Sequence, residues 1–122
     1  MAKILIMEDE ELVLQSLIES LEEAGHQVMG AKDGIEGGQM AAAQDFDLTI
    51  VDIFMPDQDG IATIMKLKKT RPDLKVIAIS GGGALVKDYD YLEYAKALGA
   101  VHCFYKPIDP DELLSCIQSV TT

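Results

Sequence analysis

The chain has 122 residues, of which 48% are hydrophobic and 25% are charged, the proportions of an ordinary globular protein. A chain of this length can bury a core without disulfides or a structural metal, so we expect residues 1–122 to form a single domain. The formal net charge of −11 argues against direct binding of nucleic acid, which requires cations that face phosphates.

The sequence predicts a cytoplasmic protein that does not insert into a membrane. No apolar segment is long enough to span a bilayer, and the first apolar stretch is followed at once by acidic residues, unlike a signal peptide. The two cysteines, Cys103 and Cys116, lack the spacing of a zinc site or a redox motif. We therefore expect two free thiols in a reducing compartment.

The first half of the chain alternates short apolar strands with helical patterns. A strand is predicted at Lys3–Met7, and apolar residues then recur at helical spacing until Gly25. A weaker strand follows at Gln27–Ala31. Asp33 and Glu36 are spaced as a capping box, which predicts the start of a second helix, although two adjacent glycines weaken that helix.

The second half continues the same alternation. A third strand is predicted at Leu48–Asp52, and the helix after it is capped by Asp59 and ends before Arg71. A fourth strand at Val76–Ser80 precedes three glycines and another helical pattern, which Gly99 closes.

The last predicted strand, Val101–Tyr105, leads to Asp109 and Pro110. These two residues are typical of the N-cap and the first position of a helix. Five strands that alternate with helices predict a parallel sheet with helices on both faces. The predicted fold class is therefore α/β, with a doubly wound sheet.

Polar side chains stand at the carboxyl ends of four predicted strands. Glu8 and Asp9 follow the first strand, Asp52 ends the third, Ser80 ends the fourth, and Lys106 follows the fifth. In a parallel sheet these ends lie along one edge, where ligands bind at the reversal of strand order. We therefore expect these side chains to form one site.

Three carboxylates, a hydroxyl and an ammonium can perform only a narrow range of chemistry. Crowded carboxylates need a cation, and oxygen ligands with room for water suit Mg²⁺. A carboxylate can also attack phosphorus to form an acyl phosphate, whose oxygens the metal, Lys106 and Ser80 would stabilise. No histidine lies near these strand ends to activate water. We infer an aspartyl phosphate that persists long enough to act as a signal.

Four segments match one protein family in its order and at nearly its spacing, and the match covers almost the whole chain. They read ILIMEDE, DLTIVDIFMPDQDG, VIAISGG and FYKPI. The chain resembles the receiver domain of bacterial two-component response regulators, in particular the single-domain kind similar to the chemotaxis regulator. The resemblance implies a sheet with strand order 2-1-3-4-5 and a phosphorylation-controlled switch that acts in a phosphorelay.

The resemblance also assigns a phosphoacceptor and a metal site. Asp52 would accept a phosphoryl group from a sensor histidine kinase or a phosphotransfer protein. Asp9 and Asp52 would bind Mg²⁺ together with the backbone carbonyl of Phe54. Glu8 would help to hold the ion through a water molecule.

The remaining assignments concern the switch itself. Lys106 would contact the phosphoryl group, or the phosphoacceptor in its absence, and its peptide bond to Pro107 is expected to be cis. Ser80 would be the switch hydroxyl. A downstream protein would bind the face formed by the fourth predicted helix, the fifth strand and the fifth helix, within residues 91–120.

Three features depart from the family pattern. Cys103 stands where the family usually has an aromatic residue that responds to phosphorylation. The segment between Ser80 and Gly99 is longer than usual, and Glu8 replaces an aspartate. We expect the first departure to affect coupling to the output and the second to form an enlarged, mobile loop near the phosphorylation site. The third should alter metal affinity without abolishing it.

Two other functions remain open on the sequence alone. One is a receiver-like scaffold that works without phosphate, which Cys103 and the long segment would allow. The other is a phosphatase or phosphotransferase with an aspartate nucleophile. Such enzymes commonly place a second aspartate where this chain has Phe54, so we expect no enzyme beyond a domain that assists its own phosphorylation and slow dephosphorylation.

Overall fold

The computed structural model describes residues 1–53, 60–80 and 95–121. The five strands, β1 to β5, lie at Lys3–Met7, Gln27–Ala31, Leu48–Asp52, Lys75–Ser80 and His102–Tyr105. Helices α1, α2 and α3 and the C-terminal helix lie at Glu11–Glu23, Gly34–Ala43, Gly60–Thr70 and Pro110–Thr121. Residues 95–97 are also helical.

The strands form one parallel sheet in the order β2-β1-β3-β4-β5, which confirms the predicted fold class and strand order. The predicted bounds of β1, β2 and β3 are correct. β4 begins one residue earlier than predicted, at Lys75, and β5 begins one residue later, at His102. Lys75 joins β4 because it pairs with Leu48 in the sheet, a partner that its own sequence context does not reveal.

Hydrophobic side chains fill both faces of the sheet. One core packs α1 and the C-terminal helix against the sheet through side chains such as Leu21 and Ile117. The other core packs α2 and α3 against the opposite face, with Ile64 and Leu67 among its buried members. All five residues of β3 are buried, so the strand that carries the central carboxylate lies in the middle of the molecule.

Two predicted helix caps are present. The N–H of Glu36 donates to Asp33 Oδ1 at 2.8 Å, as in a capping box. The return bond differs, because Glu36 Oε1 accepts from the N–H of Lys32 and not from that of Asp33. At the C-terminal helix, Asp109 Oδ1 accepts from the N–H of Asp111 at 2.9 Å. The predicted cap at residue 59 lies outside the described residues.

The two adjacent glycines of α2 have different surroundings. A Cβ on Gly37 would lie 2.6 Å from the side chain of Met7, which is fully buried in β1. A Cβ on Gly38 would meet no described atom within 4 Å. Gly37 therefore lets α2 approach the sheet closely, whereas no packing contact requires glycine at position 38.

Two further expectations concern membranes and thiols. Among the described residues, no helix has the length and apolar character needed to cross a membrane. Cys103 and Cys116 form no disulfide bond with each other. Burial raises the pKa of the Cys116 thiol, so this group stays protonated at neutral pH.

Candidate functional site

Asp52 lies at the carboxyl end of the central strand and is only 2% exposed. Its backbone pairs with Ile79 of β4, and the next residue, Ile53, donates its N–H to the carbonyl of Ile79 at 2.9 Å. A buried carboxylate is costly unless a cation or hydrogen-bond donors meet it. Lys106 provides the cation, because its Nζ lies 3.1 Å from Asp52 Oδ2.

Lys106 is held at this position by its backbone. Its N–H donates to the carbonyl of Ser80 at 2.8 Å, which extends the pairing of β4 and β5 by one residue. The bond between Lys106 and Pro107 is cis, as predicted. The side chain is 13% exposed, and its ammonium contacts three carboxylates, those of Glu8, Glu10 and Asp52.

The carboxylates around Lys106 keep it positively charged. Burial by itself lowers the pKa of Lys106, because desolvation penalises the charged form. The hydrogen bond with Glu8 and the negative charges of Asp52 and Glu8 outweigh burial, and the pKa lies above its ordinary value. Lys106 is therefore a permanent cation at physiological pH.

Glu8 is the most deeply buried carboxylate of the site, with no exposed surface. Its Oε1 lies 2.5 Å from Lys106 Nζ, and its Oε2 accepts from the N–H of Glu10 at 3.0 Å. Burial raises the pKa of Glu8 from 4.5 to about 7. The hydrogen bond from Lys106 opposes this rise in pKa, whereas the nearby carboxylate of Asp52 adds to it. Desolvation, and not an excess of negative charge, is therefore the largest cause of the raised pKa of Glu8.

Three carboxylates stand close enough to share one metal ion. Glu8, Asp9 and Asp52 each offer an oxygen, and these oxygens all lie within 4.8 Å of one another. Asp9 is exposed while the other two are buried, so water can reach one side of the cluster. Hard oxygen donors with access to water fit Mg²⁺. The fourth expected ligand, the carbonyl of Phe54, lies outside the described residues.

The sequence and the fold both match a known family. The family model described as "Response regulator receiver domain" matches residues 4–118. The chain belongs to the response regulator receiver domain family. Receiver domains are signalling switches that work with histidine kinases or phosphotransfer proteins and with downstream targets.

Relatives that match this chain differ in length. Protein PilH of Pseudomonas aeruginosa is 33% identical over 121 residues, which are 98% of each chain. The DNA-binding transcriptional regulator NtrC of Azospirillum brasilense is 32% identical over 117 residues, and the match covers 96% of this chain but only 24% of NtrC. The chain thus spans about a quarter of that relative's length.

A solved receiver supports the same fold. The response regulator TrrA from Thermotoga maritima, crystallised in complex with Mg(2+)-BeF, superposes with a TM-score of 0.85. It is 27% identical in sequence, and the match covers 98% of this chain and 99% of TrrA.

Ser80 ends β4 of this receiver domain and is fully buried. Its Oγ has no hydrogen-bond partner among the described residues. A buried hydroxyl without a partner costs about 1–3 kcal/mol, so such a group calls for an explanation. Residues 81–94, which follow it, lie outside the described residues, and so do the predicted long segment and the start of the fourth predicted helix.

Gly60 fixes the backbone next to Asp52. The N–H of Gly60 donates to the carbonyl of Ile53 at 2.8 Å, so α3 begins directly against the end of β3. A Cβ on Gly60 would lie 2.4 Å from the carbonyl oxygen of Asp52 and from the Cα of Ile53. Both are buried backbone atoms at the end of β3, so a larger residue would displace the strand end that carries the carboxylate.

The structure also shows where the unusual Cys103 points. Cys103 is half-buried against the core beneath α2 and α3, and Phe104 packs against the opposite core. Adjacent strand residues alternate between faces, so Phe104 does not take the place of the missing aromatic. Tyr105 points to the same face as Cys103, pairs with Ser80 in the sheet and is 51% exposed.

Sequence reasoning missed Glu10 as a member of this site. Its Oε1 lies 3.3 Å from Lys106 Nζ, although 63% of its side chain is exposed. Four acidic residues in succession after β1, at positions 8–11, were the available signal. That signal is weak, because acidic residues are also common in the first turn of a helix.

Proposed function

We propose that residues 1–122 form one receiver domain that acts as a phosphorylation-controlled switch. Asp52 accepts a phosphoryl group from a sensor histidine kinase or a phosphotransfer protein, and the phosphorylated form presents a changed surface to a partner. The observation that carries this proposal is the buried Asp52 carboxylate, which lies 3.1 Å from a permanent cation and within 4.8 Å of two more carboxylates.

In the phosphorylation step, a carboxylate oxygen of Asp52 attacks the phosphorus atom of the donor. An oxygen–phosphorus bond forms, the bond between phosphorus and the donor's histidine nitrogen breaks, and that nitrogen keeps the electron pair. Lys106 is placed to neutralise charge on the transferred oxygens, and its partial burial strengthens this interaction. Most of the catalytic contribution is positioning and electrostatics.

The cofactor of this reaction is Mg²⁺. Glu8, Asp9 and Asp52 would hold the ion together with the carbonyl of Phe54, because their oxygens lie within 4.8 Å of one another and the three carboxylates outnumber the ammonium of Lys106. The bound ion would supply positive charge to the phosphoryl oxygens. The Mg(2+)-BeF complex of TrrA supports the choice of metal.

Phosphorylation would be sensed by the hydroxyl of Ser80 and would change the output face. The unpaired Oγ of Ser80 is available to bond a phosphoryl oxygen, which would satisfy a buried group that has no described partner. β5 and the C-terminal helix form the described part of the output face, where Tyr105 is half-exposed. The partner is a protein in the cytoplasm, and the domain itself makes no contact with nucleic acid.

The domain assists its own phosphorylation and slow dephosphorylation, but it does not turn over a substrate. The residue two positions after Asp52 is Phe54, which cannot act as a general acid. A scaffold that works without phosphate is the second candidate, and the departure at Cys103 favours it. The two candidates differ in one measurable property, the uptake of phosphate.

The test is the intact mass of the protein after incubation with acetyl phosphate, with Mg²⁺ or with EDTA. We expect wild type to gain the mass of one phosphoryl group only with Mg²⁺, and Asp52→Asn to gain none. Asp73→Asn, which neutralises an exposed aspartate, is the matched control and should behave as wild type.

Two results would contradict the proposal. Folded wild-type protein that gains no mass in Mg²⁺ would favour the scaffold. A gain that persists in Asp52→Asn would place the acceptor at another residue.

A further inference from the structure

We infer that Glu10 is a positioning residue for Lys106: it restrains the ammonium in the resting state and slows its transfer to the phosphoryl group that enters at Asp52. This inference rests on the proposed function and adds a device that sets the rate of phosphorylation. Its basis is the geometry of Glu10, both toward Lys106 and toward its own helix.

Lys106 is held from two sides. On the buried side, its Nζ contacts Glu8 and Asp52, whose side chains are 0% and 3% exposed. On the solvent side it contacts Glu10 Oε1 at 3.3 Å, and this carboxylate is 63% exposed. The two buried carboxylates would pull the ammonium into the site, and Glu10 draws it toward the surface.

The side chain of Glu10 does not satisfy a backbone N–H of its own helix. Glu10 is the N-cap of α1, yet its side chain makes no capping hydrogen bond. Glutamate is not among the residues that favour this position, whereas aspartate, asparagine, serine and threonine are. Glutamate is a poor N-cap, but its side chain is long enough to reach Lys106.

The backbone of Glu10 ties it to the same site. Its N–H donates to Glu8 Oε2 at 3.0 Å, and its carbonyl accepts from the N–H of Leu14 at 2.9 Å. The first bond fixes the residue against the buried carboxylate, and the second fixes it to α1. The Glu10 side chain therefore starts from a defined position beside Lys106.

Phosphorylation changes the demand on Lys106. The phosphoryl group brings added negative charge to Asp52, and the ammonium must turn from carboxylates to phosphoryl oxygens. The contact with Glu10 is the longest and the most exposed of the three, so it is the weakest and the most screened by salt. Loss of this contact should therefore speed phosphorylation moderately, without disturbing the buried pairs.

The experiment measures the rate of phosphoryl uptake from acetyl phosphate in Mg²⁺ by intact mass, at low and at high ionic strength. We expect Glu10→Gln to react about two- to fivefold faster than wild type at low salt, the range expected for one exposed ion pair. The difference should shrink at high salt, because screening already weakens the contact in wild type.

Glu10→Asp separates position from charge. It keeps the negative charge but withdraws it from Lys106, and it places a favoured residue at the N-cap of α1. We expect this variant to be at least as stable as wild type in thermal unfolding and to react as fast as Glu10→Gln. Glu11→Gln, which removes the adjacent exposed charge in the first turn of α1, is the control and should match wild type.

Each other outcome overturns the inference in a recognisable way. If Glu10→Gln is as fast as wild type or slower, Glu10 does not restrain Lys106. If Glu10→Gln is faster but Glu10→Asp matches wild type, only the charge matters and the position does not. If wild type itself takes up no phosphoryl group, the proposed function fails together with the inference, and the wild-type sample alone shows it.

Discussion

At the scale of single residues, the polar cluster of this receiver domain has one ammonium in contact with three carboxylates. Lys106 contacts Glu8, Glu10 and Asp52, and Asp9 adds a fourth negative charge to the cluster. Burial raises the pKa of Glu8 to about 7, and the carboxylate of Asp52 adds to this rise. The excess of carboxylates over the single ammonium makes the site receptive to a divalent cation.

The pKa of Glu8 predicts how stability depends on pH in the metal-free protein. The folded-state pKa of about 7 exceeds the ordinary value of 4.5, so between these values the folded protein binds more protons than the unfolded chain. The contribution of Glu8 is thus fully present below the lower value and is lost as the pH rises through about 7. Glu8→Gln should reduce the loss of folding stability as the pH rises from 4.5 to about 7.

Urea unfolding in EDTA across this pH range tests the prediction. Groups other than Glu8 titrate in wild type and variant alike, so the difference between the two curves isolates this carboxyl. Glu23→Gln changes an exposed glutamate and should leave the curve parallel to that of wild type. A Glu8→Gln curve that also runs parallel to wild type would show that Glu8 keeps an ordinary pKa.

At the scale of elements, α2 forms although part of its own sequence is unfavourable for a helix. The adjacent glycines Gly37 and Gly38 each lower its intrinsic helical stability by about 1 kcal/mol relative to alanine. Gly37 is explained by the close approach of Met7, but Gly38 has no such neighbour. The N-cap Asp33 offsets part of this cost at the start of α2, where its Oδ1 accepts from the N–H of Glu36 at 2.8 Å.

The two glycines make a matched pair of substitutions. Gly38→Ala should raise the free energy of unfolding by about 0.5–1 kcal/mol, because the methyl group meets nothing and the helix gains propensity. Gly37→Ala should lower it, since overpacking against the buried Met7 costs about 1–3 kcal/mol and outweighs the same gain. Chemical denaturation of both variants measures the difference, and equal effects would refute the packing argument.

At the scale of the whole molecule, the sheet gathers separate segments into one site. Strand order β2-β1-β3-β4-β5 puts the ends of β1 and β4 on either side of β3, so Glu8 and Ser80 flank the strand of Asp52. Lys106 follows the edge strand β5 and reaches back to the centre. Binding at this edge is therefore coupled to folding of the entire domain.

Mg²⁺ should accordingly stabilise the whole domain by linkage. Above the dissociation constant, each tenfold rise in Mg²⁺ adds about 1.4 kcal/mol to the free energy of unfolding, if the ion binds only the folded state. Ionic strength must be held constant with NaCl, because a net charge of −11 makes any salt stabilising through screening.

Thermal or urea unfolding across a Mg²⁺ series measures this slope. Asp9→Asn removes the exposed ligand and should shift the response to higher Mg²⁺, and Glu11→Gln should not. A wild-type stability that does not respond to Mg²⁺ at constant ionic strength would show that the three carboxylates do not form a metal site.

The fold class, the bounds of all five strands to within one residue, and the strand ends that carry polar groups could be predicted from the sequence. These features are local, because hydrophobic periodicity, capping residues and turn residues act over a few positions. The gathering of Glu8, Asp9, Asp52 and Lys106 could be anticipated too, since parallel strands end at one edge. Three features could be seen only in the folded protein: the contact of Glu10 with Lys106, the close approach of Met7 to Gly37, and that of the Asp52 backbone to Gly60. Those contacts depend on how far side chains reach and how closely backbones pack, which neither spacing nor composition encodes.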